Sequence, residues 1–156
     1  MNTIPLGELE KFIVRAKAAT YVGNGSKSLS HRPASHDLEY HEGSFAYLDS
    51  YFGGTDFIGE EVVYYNQEPV WAMNYYGRII EPSLITAADT GQIIKQSLTK
   101  LYQEGRFLGG FEYKTDYGVY TDTNLGDFTS FTGNEWISQK GTVVYKLYYH
   151  GGLVKD

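Results

Sequence analysis

The chain contains no cysteine, so disulfide stapling, thiolate chemistry and metal–thiolate centres are excluded, as suits a reducing compartment. It has no apolar run approaching the roughly eighteen residues of a spanning helix, and its opening residues carry neither the basic stretch nor the apolar core of a signal peptide. Positive charge is in deficit: Lys and Arg total 13 against 19 Asp and Glu, a formal net charge of -6. Such a field repels phosphate backbones and anionic membrane surfaces. The expectation is a cytoplasmic protein that binds neither nucleic acid directly nor membranes.

Familiar catalytic signatures are missing as well. Serine and threonine are plentiful, yet no GxSxG elbow occurs to support nucleophilic hydrolysis. His31, His36 and His41 recur at steps of five, which does not keep them on one helix face, and no HExxH pair is present. Asp37, Glu39 and Asp49 could supply oxygen ligands, but the spacing argues for no metal and no cofactor. In residues 21–28, YVGNGSKS, Lys27 and Ser28 follow glycines as in a phosphate cradle. The context is reversed, because a helix precedes this loop and more loop follows it.

What the chain does have is internal similarity. Residues 57–77 align without a gap on 131–151, with identities at Phe57/Phe131, Gly59/Gly133, Glu61/Glu135, Val70/Val144, Tyr75/Tyr149 and Gly77/Gly151. Upstream, with one residue of register lost, Glu39, Tyr40, Tyr47 and Asp49 fall on Glu112, Tyr113, Tyr120 and Asp122. Similarity at a fixed offset points to a duplicated unit. The length of 156 residues and the hydrophobic content of 42% suit one domain over 1–156, with pseudo-repeats at about 5–78 and 85–152.

Each repeat reads as a helix followed by strands. In 6–19, Leu9, Phe12, Ile13 and Ala16 form an apolar stripe, with Glu8, Glu10, Lys11, Arg15 and Lys17 assigned to the opposite face. A second helix is expected over 86–104, capped by Thr86 with Asp89 three residues on, burying Ile94, Leu98, Leu101 and Tyr102 and stopping at Gly105. Strand runs follow at 38–41, 45–52, 57–65, 69–76, 111–114, 118–123, 128–131, 136–139 and 142–150, separated by short turns. Short connections favour antiparallel neighbours. The predicted fold is α+β: a strongly curved antiparallel sheet of about eight strands with two helices, from a duplicated α-β-β-β-β unit.

Alternation along the strands divides the side chains between two faces. Trp71, Met73 and Tyr75, with Tyr145, Leu147 and Tyr149, form the expected core face. The other face carries Ala72, Asn74 and Tyr76 against Lys146, Tyr148 and His150, a polar aromatic mixture expected to line a cleft. Asp49 lies between Tyr47 and Tyr51. The aromatic-Gly-Gly triplets at 51–54, 107–110 and 149–152 read as tight turns or bulges, where glycine also lets a ligand approach the backbone. The acidic positions pair by alignment as Glu39/Glu112, Asp49/Asp122 and Glu61/Glu135, and pairing by alignment is not pairing in space. Positions where the halves differ, Glu60/Asn134, Asn74/Tyr148 and Tyr76/His150, are where a site evolved after duplication would lie.

Through DSYFGG, FIGEEVVYY and PVWAMNYYG (residues 49–77), GDFTSFTGNEWI (126–137) and YHGG (149–152), the chain resembles a bacterial family known as a domain of unknown function. Some members stand behind a repressor-type helix-turn-helix, which implies a sensing or effector-binding role; no catalytic residue carries over. The matched positions include Asp49, Tyr51, Glu60, Glu61, Trp71, Asn74, Tyr75 and His150.

Three functional readings result. The leading one is a small-molecule-binding or sensing module whose cleft is lined by Tyr47, Asp49, Tyr51, Glu60, Asn74, Tyr76, Tyr148 and His150. The second is a hydrolase or lyase pairing His150 with Asp49 or Glu60, within hydrogen-bond reach or through one water. The third is an acidic interaction protein or homodimer.

Overall fold

The computed structural model describes residues 4–155 apart from 24 and 26. Two positions of the glycine-containing loop at 21–28, Asn24 and Ser26, therefore lie outside the described residues. Helix α1 spans Leu6–Ala19 and α2 spans Ala87–Gln103. The first four strands are β1 His36–Glu42, β2 Phe45–Gly53, β3 Phe57–Tyr65 and β4 Glu68–Ile79. The second four are β5 Phe111–Thr115, β6 Gly118–Asp127, β7 Ser130–Gln139 and β8 Thr142–Leu153. They form one open eight-stranded sheet in the order β1-β2-β3-β4-β8-β7-β6-β5, antiparallel throughout. This is the α+β class expected from the sequence.

Helix α2 begins where Thr86 accepts the Asp89 amide at 3.1 Å, and Gly105 follows its end at φ +76. Both features follow from the cap and stop residues in the sequence. Helix α1 buries Leu9, Phe12, Ile13 and Ala16 completely. Lys17, expected on the solvent face, is only 4% exposed. It stands four residues after Ile13, one turn further along the same stripe, so the helix directs it inward.

The strand runs expected at 128–131 and 136–139 are one strand, β7, with Phe128 in the turn before it. Gly133, which broke the apolar pattern, continues the ladder because the Tyr149 ring occupies its missing side-chain space. A Cβ there would come within 2.2 Å of Tyr149 Cζ. Gly59 plays the same part in β3, where a Cβ would meet the Tyr75 hydroxyl at 2.4 Å.

The two halves of the sheet share one register. Tyr75 pairs with Tyr149 at the β4–β8 junction, and pairing runs outward symmetrically to Trp71↔Leu153 and Ile79↔Tyr145. Asp49↔Glu61 in the first half has its counterpart in Asp122↔Glu135 in the second. The ladder slips at Val63/Tyr64 in one half and at Ile137/Ser138 in the other, aligned positions of the two segments. Helix α1 packs on β1 and β2, α2 packs on β5 and β6, and the helices touch each other. Both helices thus flank the centre of the same sheet face, whose core includes Tyr47, Val63, Trp71, Tyr120, Ile137, Tyr145 and Tyr149.

Candidate functional site

The helix-covered face is not filled solid. Between the helices and the middle of the sheet lies a cavity of about 280 Å³. Its walls carry seven tyrosines, Tyr21, Tyr47, Tyr51, Tyr75, Tyr102, Tyr145 and Tyr149, with Phe57, Phe107, Met73, Ile94 and Leu98. Gly53, Gly54, Thr55 and Ala87 are the exposed members of the lining and mark its mouth, between the β2–β3 turn and the start of α2. Gly53 adopts φ +90, and a Cβ there would strike the Asp56 carbonyl at 2.1 Å. The first aromatic-Gly-Gly triplet is therefore a turn that only glycine fits, placed at the rim.

Four carboxyl groups converge on this cavity: Asp49 from β2, Glu61 from β3, Asp122 from β6 and Glu135 from β7. Exposures are 3%, 7%, 5% and 6% in that order. The antiparallel register sets Asp49 directly opposite Glu61 and Asp122 opposite Glu135, a juxtaposition of like charges that sheets ordinarily avoid. One ammonium answers them. Lys17 Nζ lies 2.5 Å from Glu61 Oε2 and 3.8 Å from Met73 Sδ, and sits 5.3 Å from the centre of the Phe107 ring.

Tyrosine hydroxyls supply most of the remaining hydrogen bonds. Tyr75 donates to Asp49 Oδ1 at 2.6 Å and Tyr149 donates to Asp122 Oδ1 at 2.7 Å. Tyr145 donates to Glu135 Oε1 at 3.0 Å, and Tyr120 donates to Glu135 Oε2. Burial, reinforced by the Glu61 charge, pushes Asp49 up to about 7 against the pull of Tyr75 and Lys17. Burial and then the Asp122 charge push Glu135 up to about 7. Burial pushes Asp122 up to about 6, opposed by the Tyr149 and Tyr120 hydroxyls. The donating tyrosines are themselves held well above the ordinary phenol range, chiefly by burial and by these carboxylates. Buried carboxylates in a cleft with proton affinities displaced this far toward neutrality mark a candidate functional site.

The positions singled out from the sequence divide between the two faces. Tyr47, Asp49 and Tyr51 line the cavity. Glu60, Asn74, Tyr76, Tyr148 and His150 stand on the opposite, uncovered face, in the rows Glu60↔Asn74↔His150 and Tyr76↔Tyr148. That face was expected to hold the cleft, but the cavity lies on the covered face, where α1 and α2 pack on the outer strands β1, β2, β5 and β6. His150 and Asp49 are on opposite sides of the sheet. Asn74 stands between His150 and Glu60, and among the described residues His150 makes no hydrogen bond to either carboxylate. Sequence reasoning missed Lys17, Glu61, Asp122 and Glu135 as one cluster; the aligned pairs Asp49/Asp122 and Glu61/Glu135 were the available signal.

Residues 49–154 match the domain of unknown function DUF5680, and the chain belongs to that family. The match contains all four cavity carboxylates and leaves α1, with Lys17, outside it. No curated protein and no solved structure matches the chain.

Proposed function

We propose that this family member is a small-molecule-binding module whose ligand enters the helix-covered cavity rather than the open sheet face. The observation that carries this reading is the cavity itself: aromatic walls, a few converging polar groups and a glycine-lined mouth, the usual make-up of ligand pockets. At about 280 Å³ it suits a small ligand. The matching register of the two halves is what duplication of an α-β-β-β-β unit would leave, and it explains why equivalent carboxylates meet at one centre. Burying four acids in a core costs stability, and such groups cluster at functional sites.

Gly91 offers the direct test, since it lines the cavity within α2 and a Cβ there would have no atom within 4 Å. Gly91→Leu is expected to fold as well as or better than the parent, because leucine favours a helix interior over glycine by up to about 1 kcal/mol. It should nevertheless abolish the thermal-shift response to any small molecule that stabilises the parent by mass action. A response equal in both proteins would place binding elsewhere.

A further inference from the structure

Given that cavity as the binding site, we infer that its ligand is a small organic cation bearing N–H donors, a primary or secondary ammonium or an amidinium on a flat apolar body. The lining holds four acidic side chains and a single basic one, Lys17, and Lys17 is already engaged by Glu61. An anionic ligand would therefore find no free positive partner in the lining, while a cation would relieve the repulsion between the paired acids.

Unused acceptors point the same way. Among the described residues, Asp49 Oδ2 and Glu61 Oε1 accept no hydrogen bond, since the only bonds to these carboxylates are Tyr75 to Oδ1 and Lys17 to Oε2. The Tyr47 hydroxyl, on a side chain only 1% exposed, has no partner among the described residues either. All three residues line the cavity, and these atoms have no protein partner there among the described residues, so a ligand's donors can reach and satisfy them. A quaternary ammonium lacks N–H and would leave these acceptors unused. The aromatic rings of the lining can attract the same charge through their faces and accommodate an apolar body.

The test pairs 2-phenylethylamine with its uncharged counterpart 2-phenylethanol in isothermal titration calorimetry against the whole chain. The amine is expected to bind about tenfold or more tighter than the alcohol, the range given by a hydrogen bond to a charged group. Asp49→Asn should keep the acceptor for Tyr75, fold normally by circular dichroism and lose about tenfold in amine affinity with little change for the alcohol. Equal affinity for amine and alcohol would overturn the cation assignment while leaving the pocket in place. So would stabilisation by small carboxylates but not by amines in a thermal-shift panel. Amine binding unchanged in both Asp49→Asn and Gly91→Leu would overturn the pocket as well.

Discussion

Lys17 and Glu61 form a buried ion pair, with side chains 5% and 9% exposed and Nζ 2.5 Å from Oε2. Lys17→Met retains much of the stem but loses the Nζ that lies near Met73, Trp71 and Phe107, and it strands the Glu61 carboxylate among three other acids. Breaking such a pair on one side costs about 3–5 kcal/mol. For a chain of this size that corresponds to a fall in Tm of about 6–20 °C. Replacing both partners, as in Lys17→Met with Glu61→Leu, removes the stranded charge and is expected to recover most of the loss, since apolar replacement of a buried pair is often neutral or better. Urea denaturation of the parent, both single variants and the double variant closes a double-mutant cycle. The expected coupling is about 2 kcal/mol or more in favour of the pair. A Lys17→Met variant within about 0.5 kcal/mol of the parent, as is usual for surface substitutions, would refute the inward placement of this lysine.

Two further outcomes concern the same cage. Because Asp49, Asp122 and Glu135 hold their protons more tightly when folded than when unfolded, their contribution to stability is complete below about pH 4 and is lost as pH rises through about 6 to 7. Asp49→Asn should therefore match the parent near pH 4 in denaturant melts and exceed it above pH 7, by up to about 4 kcal/mol at about 1.4 kcal/mol per unit; a variant less stable than the parent at pH 8 would contradict this. Gly133→Ala places a Cβ 2.2 Å from the Tyr149 ring; it should cost about 1–3 kcal/mol by overpacking, and a neutral result in thermal melts would show that the ring does not fill that space.

Much of this architecture could be read from residue order, and the exceptions are physical rather than accidental. The stripe of Leu9, Phe12, Ile13 and Ala16, the Thr86 cap and the alternation of Trp71, Met73 and Tyr75 are local patterns, and the sheet places them as local patterns require. Lys17 is one exception: its charge suggests the solvent face, but its spacing from Ile13 puts it on the buried stripe, and its long stem carries the ammonium inward to Glu61. The large side chains Trp71, Met73 and Tyr75, with Tyr145, Leu147 and Tyr149, identify the covered face as core, but they do not reveal the cavity within it. Whether two helices resting on β1–β2 and β5–β6 close over β3, β4, β8 and β7 is a matter of packing distance, and no single residue encodes it. Similarly, Asp49 and Asp122 are visibly equivalent in the aligned segments. Their convergence depends on the halves joining antiparallel through Tyr75↔Tyr149, a long-range pairing that alignment does not contain.

The choice between the two sheet faces can be made with tyrosine ring resonances, recorded by NMR while 2-phenylethylamine is titrated into the whole chain. Shifts confined to the cavity tyrosines Tyr21, Tyr47, Tyr51, Tyr75, Tyr102, Tyr145 and Tyr149, with Tyr76 and Tyr148 unmoved, are the predicted result. Shifts at Tyr76 and Tyr148 with the buried rings unmoved would contradict binding beneath the helices.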